Sequence, residues 1–67
     1  MAKNKRIRKA MTDAEINQGE LSEILGINKA ELSIMLKYEL AVREQNEVVK
    51  RIREYDAQRR GIHHDTV

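Results

Sequence analysis

The 67-residue sequence contains no cysteine, proline, tryptophan or phenylalanine, and two tyrosines are its only aromatic residues. Without cysteine there are no disulfide staples and no thiolate metal sites, a usage that fits a reducing compartment such as the cytoplasm. A chain this short buries only about 60% of its unfolded surface, so its core is small and its stability marginal. With disulfides excluded, a partner chain is the remaining support for so small a scaffold. No apolar run approaches the roughly 18 residues of a membrane span, and no signal-peptide core follows the basic start, so a soluble cytoplasmic chain is expected. There is no room for a deep substrate cleft. Glu15, Glu20 and Glu23 have no pocket to raise a pKa, and Ser22 and Ser33 have no histidine partner, so no enzyme is expected. The three glycines, Gly19, Gly26 and Gly61, are dispersed and form no phosphate-cradling loop. His63 and His64 adjoin Asp65, but neighbours in sequence do not share a helix face and no third ligand follows at metal spacing. Neither a metal nor any other cofactor is expected.

What is present is charge, at 36% of the residues, and it is segregated beneath a net +2. Lys3, Lys5, Arg6, Arg8 and Lys9 come before any acid. The middle, from Asp13 to Glu47, is dominated by carboxylates, and Lys50, Arg51, Arg53, Arg59 and Arg60 make the distal part basic again. Basic ends are a footprint for a polyanion such as nucleic acid, although they also serve simply to keep a small helical protein in solution.

Good helix formers dominate and alternating β-branched runs are absent, so the fold class expected is all-α. Asn and Gly must supply the helix boundaries. Asn17 and Asn28 are good N-caps, each followed three residues later by a glutamate (Glu20, Glu31), in the pattern of a capping box. Gly26, just before the second cap, is suited to the left-handed conformation that ends a helix. These signals predict helices over Lys5–Ala14, Gln18–Leu25, Lys29–Tyr38 and, longer, Val42–Arg59. The connection from Lys37 to Ala41 holds no glycine, which leaves open a third helix running on towards Leu40. Residues 1–60 form a single domain in this reading, with Gly61 ending the last helix and 61–67 a flexible tail. Apolar spacing agrees. Ile7, Ala10, Met11 and Ala14 share one face, as do Leu21, Ile24 and Leu25, then Leu32, Met35 and Leu36. Tyr38 and Tyr55 are expected to be partly buried. The stripe of Val48, Val49, Ile52 and Tyr55 is long for a helix capping so small a core, and part of it is expected in a homodimer interface. The competing expectation is that the stripe closes the core within one chain.

Segment 18–37 carries the most information. A helix-turn-helix requires apolar residues at its fourth, eighth, tenth, fifteenth and eighteenth places, and counting from Gln18 these hold Leu21, Leu25, Ile27, Leu32 and Met35. The fifth place, where the helices cross closely, holds the small Ser22, and the ninth, which requires positive φ, holds Gly26. With Ile16-Asn17-Gln18-Gly19-Glu20-Leu21-Ser22 leading into Leu25-Gly26-Ile27-Asn28, the stretch from about 5 to 38 resembles the Cro/repressor (Xre) family of phage and mobile-element regulators. Beyond Tyr38 the likeness weakens, because the family's glycine-containing turn is replaced by Lys37-Tyr38-Glu39-Leu40-Ala41.

The resemblance implies a small helix-turn-helix bundle of about four helices that binds a double-stranded DNA operator as a homodimer. It places Gln18 against a phosphate at the start of the second helix. It lays the third helix in the major groove, with Asn28, Lys29, Ala30, Ser33, Ile34 and Lys37 facing bases. Lys29 suits guanine, Ala30 or Ile34 a thymine methyl, and Ser33 either donor or acceptor. Lys3, Lys5 and Arg6 would meet phosphates or a minor groove from the N-terminal arm. For Asn28 capping comes before base reading, and Glu31 is expected to close that cap. The third helix carries two lysines and no arginine, sparse for a DNA reader. Its exposed Ile34 and the acidic middle suit an alternative in which a second regulator protein is the partner.

Overall fold

The structure, a computed structural model, describes the backbone of residues 3–65 and the side chains of residues 3–60. It is an all-helical bundle of four helices among the described residues: α1 (Lys5–Ala14), α2 (Gln18–Leu25), α3 (Lys29–Lys37) and α4 (Val42–Asp65). α4 is the shared wall, packed on both α1 and α2, while α3 packs chiefly on α2. Ile7, Ala10 and Ala14 of α1, Ile16 of the first connection, Leu21, Leu32, Val48 and Ile52 make the core. Each wholly buried Ile or Leu contributes about 1.5–3 kcal/mol by leaving water.

The first two helices keep the boundaries that their sequence predicts, and the caps explain why. α1 ends at Glu15, whose left-handed φ of 56° turns its N–H back onto Met11 and Thr12 carbonyls. Asn17 opens α2 with a reciprocal capping box. Its side chain accepts from the Glu20 N–H at 2.8 Å, and its own N–H donates to Glu20 Oε1 at 3.2 Å. Gly26 closes α2 at φ 71°, and the Ile27 N–H returns to the Ser22 carbonyl at 3.0 Å. Nothing lies within 4 Å of where a Gly26 Cβ would sit, so the demand for glycine there is one of backbone angle alone. Ser22 is buried at the helix crossing and its hydroxyl is satisfied by the Gly19 carbonyl at 2.7 Å.

Four expectations are corrected. α3 stops at Lys37, with Tyr38 extended at φ −111° and ψ 151°, so it runs neither through Tyr38 nor on to Leu40. Tyr38 is 62% exposed rather than partly buried. At the second cap, Asn28 accepts from the Glu31 N–H at 2.8 Å, but Glu31 answers the Asn28 side-chain amide at 2.9 Å, not its backbone. α4 continues through Gly61 to Asp65, so Gly61 is no stop signal and the segment from 61 to 65 is helical. The metal question raised at His63 and His64 concerns side chains outside the described residues.

The stripe on α4 is divided. Val48 (8% exposed) and Ile52 (1%) point into the chain's own core and are not available to a partner. Val49 and Tyr55 are half-buried at the margin. Val48 and Ile52, four residues apart, share the face turned to the bundle, while Val49 and Tyr55 lie at the edges of that face.

Candidate nucleic-acid interface

α3 holds the bundle with one wholly buried side chain, Leu32, assisted by the half-buried Met35 and Leu36. Everything the sequence nominated on the other side of this helix is exposed: Lys29, Ala30, Ser33, Ile34 and Lys37, together with the capping Asn28. Spacing of three, four and eight residues puts these side chains on one outward surface just over two turns long. Gln18 is exposed at the first position of α2. Asn28 is engaged as a cap, which leaves it less free to read a base. Ile34 is 64% exposed, and Tyr38 and Val42 are exposed beyond the end of the helix.

The N-terminal cations are less free than an arm implies. Lys5 and Arg6 are exposed on the first turn of α1. Lys3, also exposed, is turned inward at its end: its ammonium donates to the Lys37 carbonyl at 3.0 Å. There it caps the carboxyl end of α3, where a cation is favoured by the helix dipole. Lys3 is therefore engaged at the end of α3.

A groove runs between α1 and α4, floored by Ala10 and Val49 and rimmed by Arg6, Lys9 and Arg53. Lys9 is paired with Asp13 at 3.1 Å, an exposed pair worth little. Val49 lines this groove with Asp13 and Asn46 as well as the cations, and borders Lys50 and Glu54 on its other side. Further along α4 the cations are committed to the fold. Arg59 donates to the Ala14 carbonyl at 2.7 Å and to Asp56 at 2.8 Å, and lies 5.2 Å from the Tyr55 ring centre. Arg60 also donates to Asp56, at 3.1 Å. These two guanidinium hydrogen bonds hold the Asp56 carboxyl below the ordinary carboxylate range.

Sequence reasoning missed the polar residues that set the position of this surface. Asn4 is 1% exposed at a left-handed φ of 58°, and Gln45 is 4% exposed. Glu39 joins them, accepting from the Asn4 N–H at 2.9 Å and from the Gln45 side-chain amide at 2.7 Å. The signals were faint but present. α1 has no acid in its first turn to meet its own N-terminus, and Asn is the residue after glycine that best tolerates left-handed backbone.

No family model, curated protein or solved structure matches the chain.

Proposed function

We propose that this chain is a Cro/repressor-type helix-turn-helix regulator that reads double-stranded DNA, acting in the cytoplasm as a homodimer on two half-sites in the manner of phage or mobile-element repressors. The observation that supports this most is the division of α3: Leu32 alone is fully inside while Lys29, Ala30, Ser33, Ile34 and Lys37 stand free on the opposite surface. In this reading α3 lies in the major groove. Lys29, at its N-terminal end, donates to guanine, and Ala30 or Ile34 meets a thymine methyl. Gln18, Lys5 and Arg6 hold phosphates and set the register. A single small module has limited affinity, so two copies on two half-sites are required, with Val49 and Tyr55 the members of the α4 stripe still free to contribute to their contact.

Selection of bound duplexes from a random pool tests the proposal, followed by titration with salt. The proposal requires one enriched sequence and an affinity that falls steeply with salt. Lys29→Ala should then weaken binding to that sequence by about 1–3 kcal/mol and relax preference at one base pair. Absence of any enriched sequence would remove the proposal.

The exposed Ile34, Tyr38 and Val42 support a second reading, an adaptor or antirepressor that binds another regulator protein. In that case Ile34→Ala leaves duplex binding untouched and damages a stoichiometric protein complex.

A further inference from the structure

The connection between α3 and α4 has no glycine and no regular hydrogen-bonded turn of its own to fix it. It is fixed instead by residues more than thirty positions away. The Asn4 amide donates to the carbonyls of Leu36 (3.2 Å) and Tyr38 (3.0 Å), and its carbonyl oxygen accepts from the Leu40 N–H at 2.8 Å. The Asn4 backbone N–H adds a bond to Glu39, which Gln45 holds from the other side. One buried side chain thus satisfies both sides of the chain reversal at the end of α3. Its donors and acceptor are all used, an arrangement that is rigid when complete and expensive to leave half-made. The backbone angle at Asn4 is the left-handed one, which any residue but Gly, Asn or Asp adopts only under strain. α1 begins at the next residue, so the same clasp fixes where Lys5 and Arg6 stand relative to α3.

We propose that Asn4 is the positioning residue of the DNA-reading surface, locking the carboxyl end of α3 to the basic start of α1 so that base contacts and phosphate contacts are made in one register. This rests on the reading of α3 as a DNA-reading helix. It also means that Lys3 and Asn4 are not a detachable arm: removing them opens the end of α3.

Asn4→Gly tests the role, because glycine keeps the left-handed backbone without strain and deletes only the side-chain bonds. Two probes are used: the duplex that wild type selects from a random pool, and a duplex of the same length and composition with its bases shuffled. Circular dichroism, run alongside, gives the folded fraction. The ratio of the two affinities is expected to fall about tenfold, with the shuffled-duplex affinity and its salt slope held within about twofold. A purely structural role lowers both affinities by the same factor and leaves the ratio unchanged, which would overturn the proposal. Should Asn4→Gly fail to fold, Glu39→Ala, at an exposed side chain, breaks the clasp from outside and should lower the ratio about threefold. An unchanged ratio in that variant also overturns it. Hydrogen exchange at the Leu40 N–H separates the two levels of inference. If wild type prefers no duplex, the reading function fails and this role with it. The clasp itself then stands or falls on whether Leu40 exchanges at least about tenfold faster in Asn4→Gly than in wild type, with the Leu32 and Ile52 amides unchanged.

Discussion

The pair α1 and α4 and the pair α2 and α3 are held in the bundle by different means. α1 gives the core Ile7, Ala10 and Ala14, and α4 gives Val48 and Ile52, so this pair is joined by continuous apolar packing. α2 and α3 are short and supply one wholly buried hydrophobic residue each, Leu21 and Leu32. What they lack in burial they make up with backbone chemistry: the Asn17 box, the left-handed Gly26, the Asn28 cap and the Asn4 clasp. A helix anchored at its ends by polar groups and by a single leucine in its middle keeps most of its surface free. A largely free surface of that kind is what the proposed reading role asks of α3.

The largest effects should therefore come from the apolar pair. Ile52→Ala is expected to destabilise by about 2–5 kcal/mol, enough to unfold much of so small a domain, as thermal or denaturant melting would show. Val49→Ala, at the edge of the buried face, should change melting by less than half as much. Equal losses would mean that the α4 stripe is not divided in solution as described. The next effect down belongs to the polar pair. Gly26→Val should destabilise by about 1–3 kcal/mol because a β-branched residue is strained at φ 71°. Gly26→Asn should recover most of that loss, since no atom waits within 4 Å to clash and Asn tolerates the angle. If Asn is as damaging as Val, something other than backbone angle governs the turn.

How much of this was legible in the sequence follows the same division. Local signals with their own chemistry were readable: Asn17 and Asn28 as caps, Gly26 as a stop, and the apolar spacing that sends Leu21 and Leu32 inside. So was the outward face of α3, because spacing determines it. The residues that act over long sequence distances were not readable. Nothing near Asn4 says that its partners lie at 36, 38 and 40, and nothing near Lys3 or Arg59 says that each caps the end of a distant helix. Gly61 misled for the opposite reason: a glycine stop is a local preference of about 1 kcal/mol, and helix propagation from the long packed stretch before it prevails. The α4 stripe could be assigned to core or partner only once the bundle fixed which way Val49 points.

The two asparagine caps give a smaller and sharper contrast within the polar pair. Asn17 takes part in a full reciprocal box, whereas Asn28 satisfies one backbone N–H and spends its amide on Glu31. Asn17→Ala should therefore destabilise by about 1–2 kcal/mol and Asn28→Ala by about 0.5–1 kcal/mol, both by denaturant melting. Reversal of that order would show that end-anchoring of α3 matters more to the fold than end-anchoring of α2.

The smallest expected effect lies back in the apolar pair, and asks whether charge holds α1 to α4 at all. Asp56 accepts from Arg59 and Arg60, and Arg59 reaches across to the last carbonyl of α1. Those hydrogen bonds lower the Asp56 pKa in the folded chain. As pH falls, the unfolded chain takes up its proton first, so whatever stability the carboxylate contributes is complete above the ordinary carboxylate range and is lost as pH drops through the lowered folded value. Asp56→Asn should then melt slightly below wild type at neutral pH, and the difference should close between about pH 5 and pH 2. The groups are open to solvent, so added salt should narrow the same difference at neutral pH. A difference that persists unchanged through acid and salt would mean that Asp56 acts through the shape of its contact with Arg59 and not through its charge. The joint between α1 and α4 would then be a matter of packing throughout.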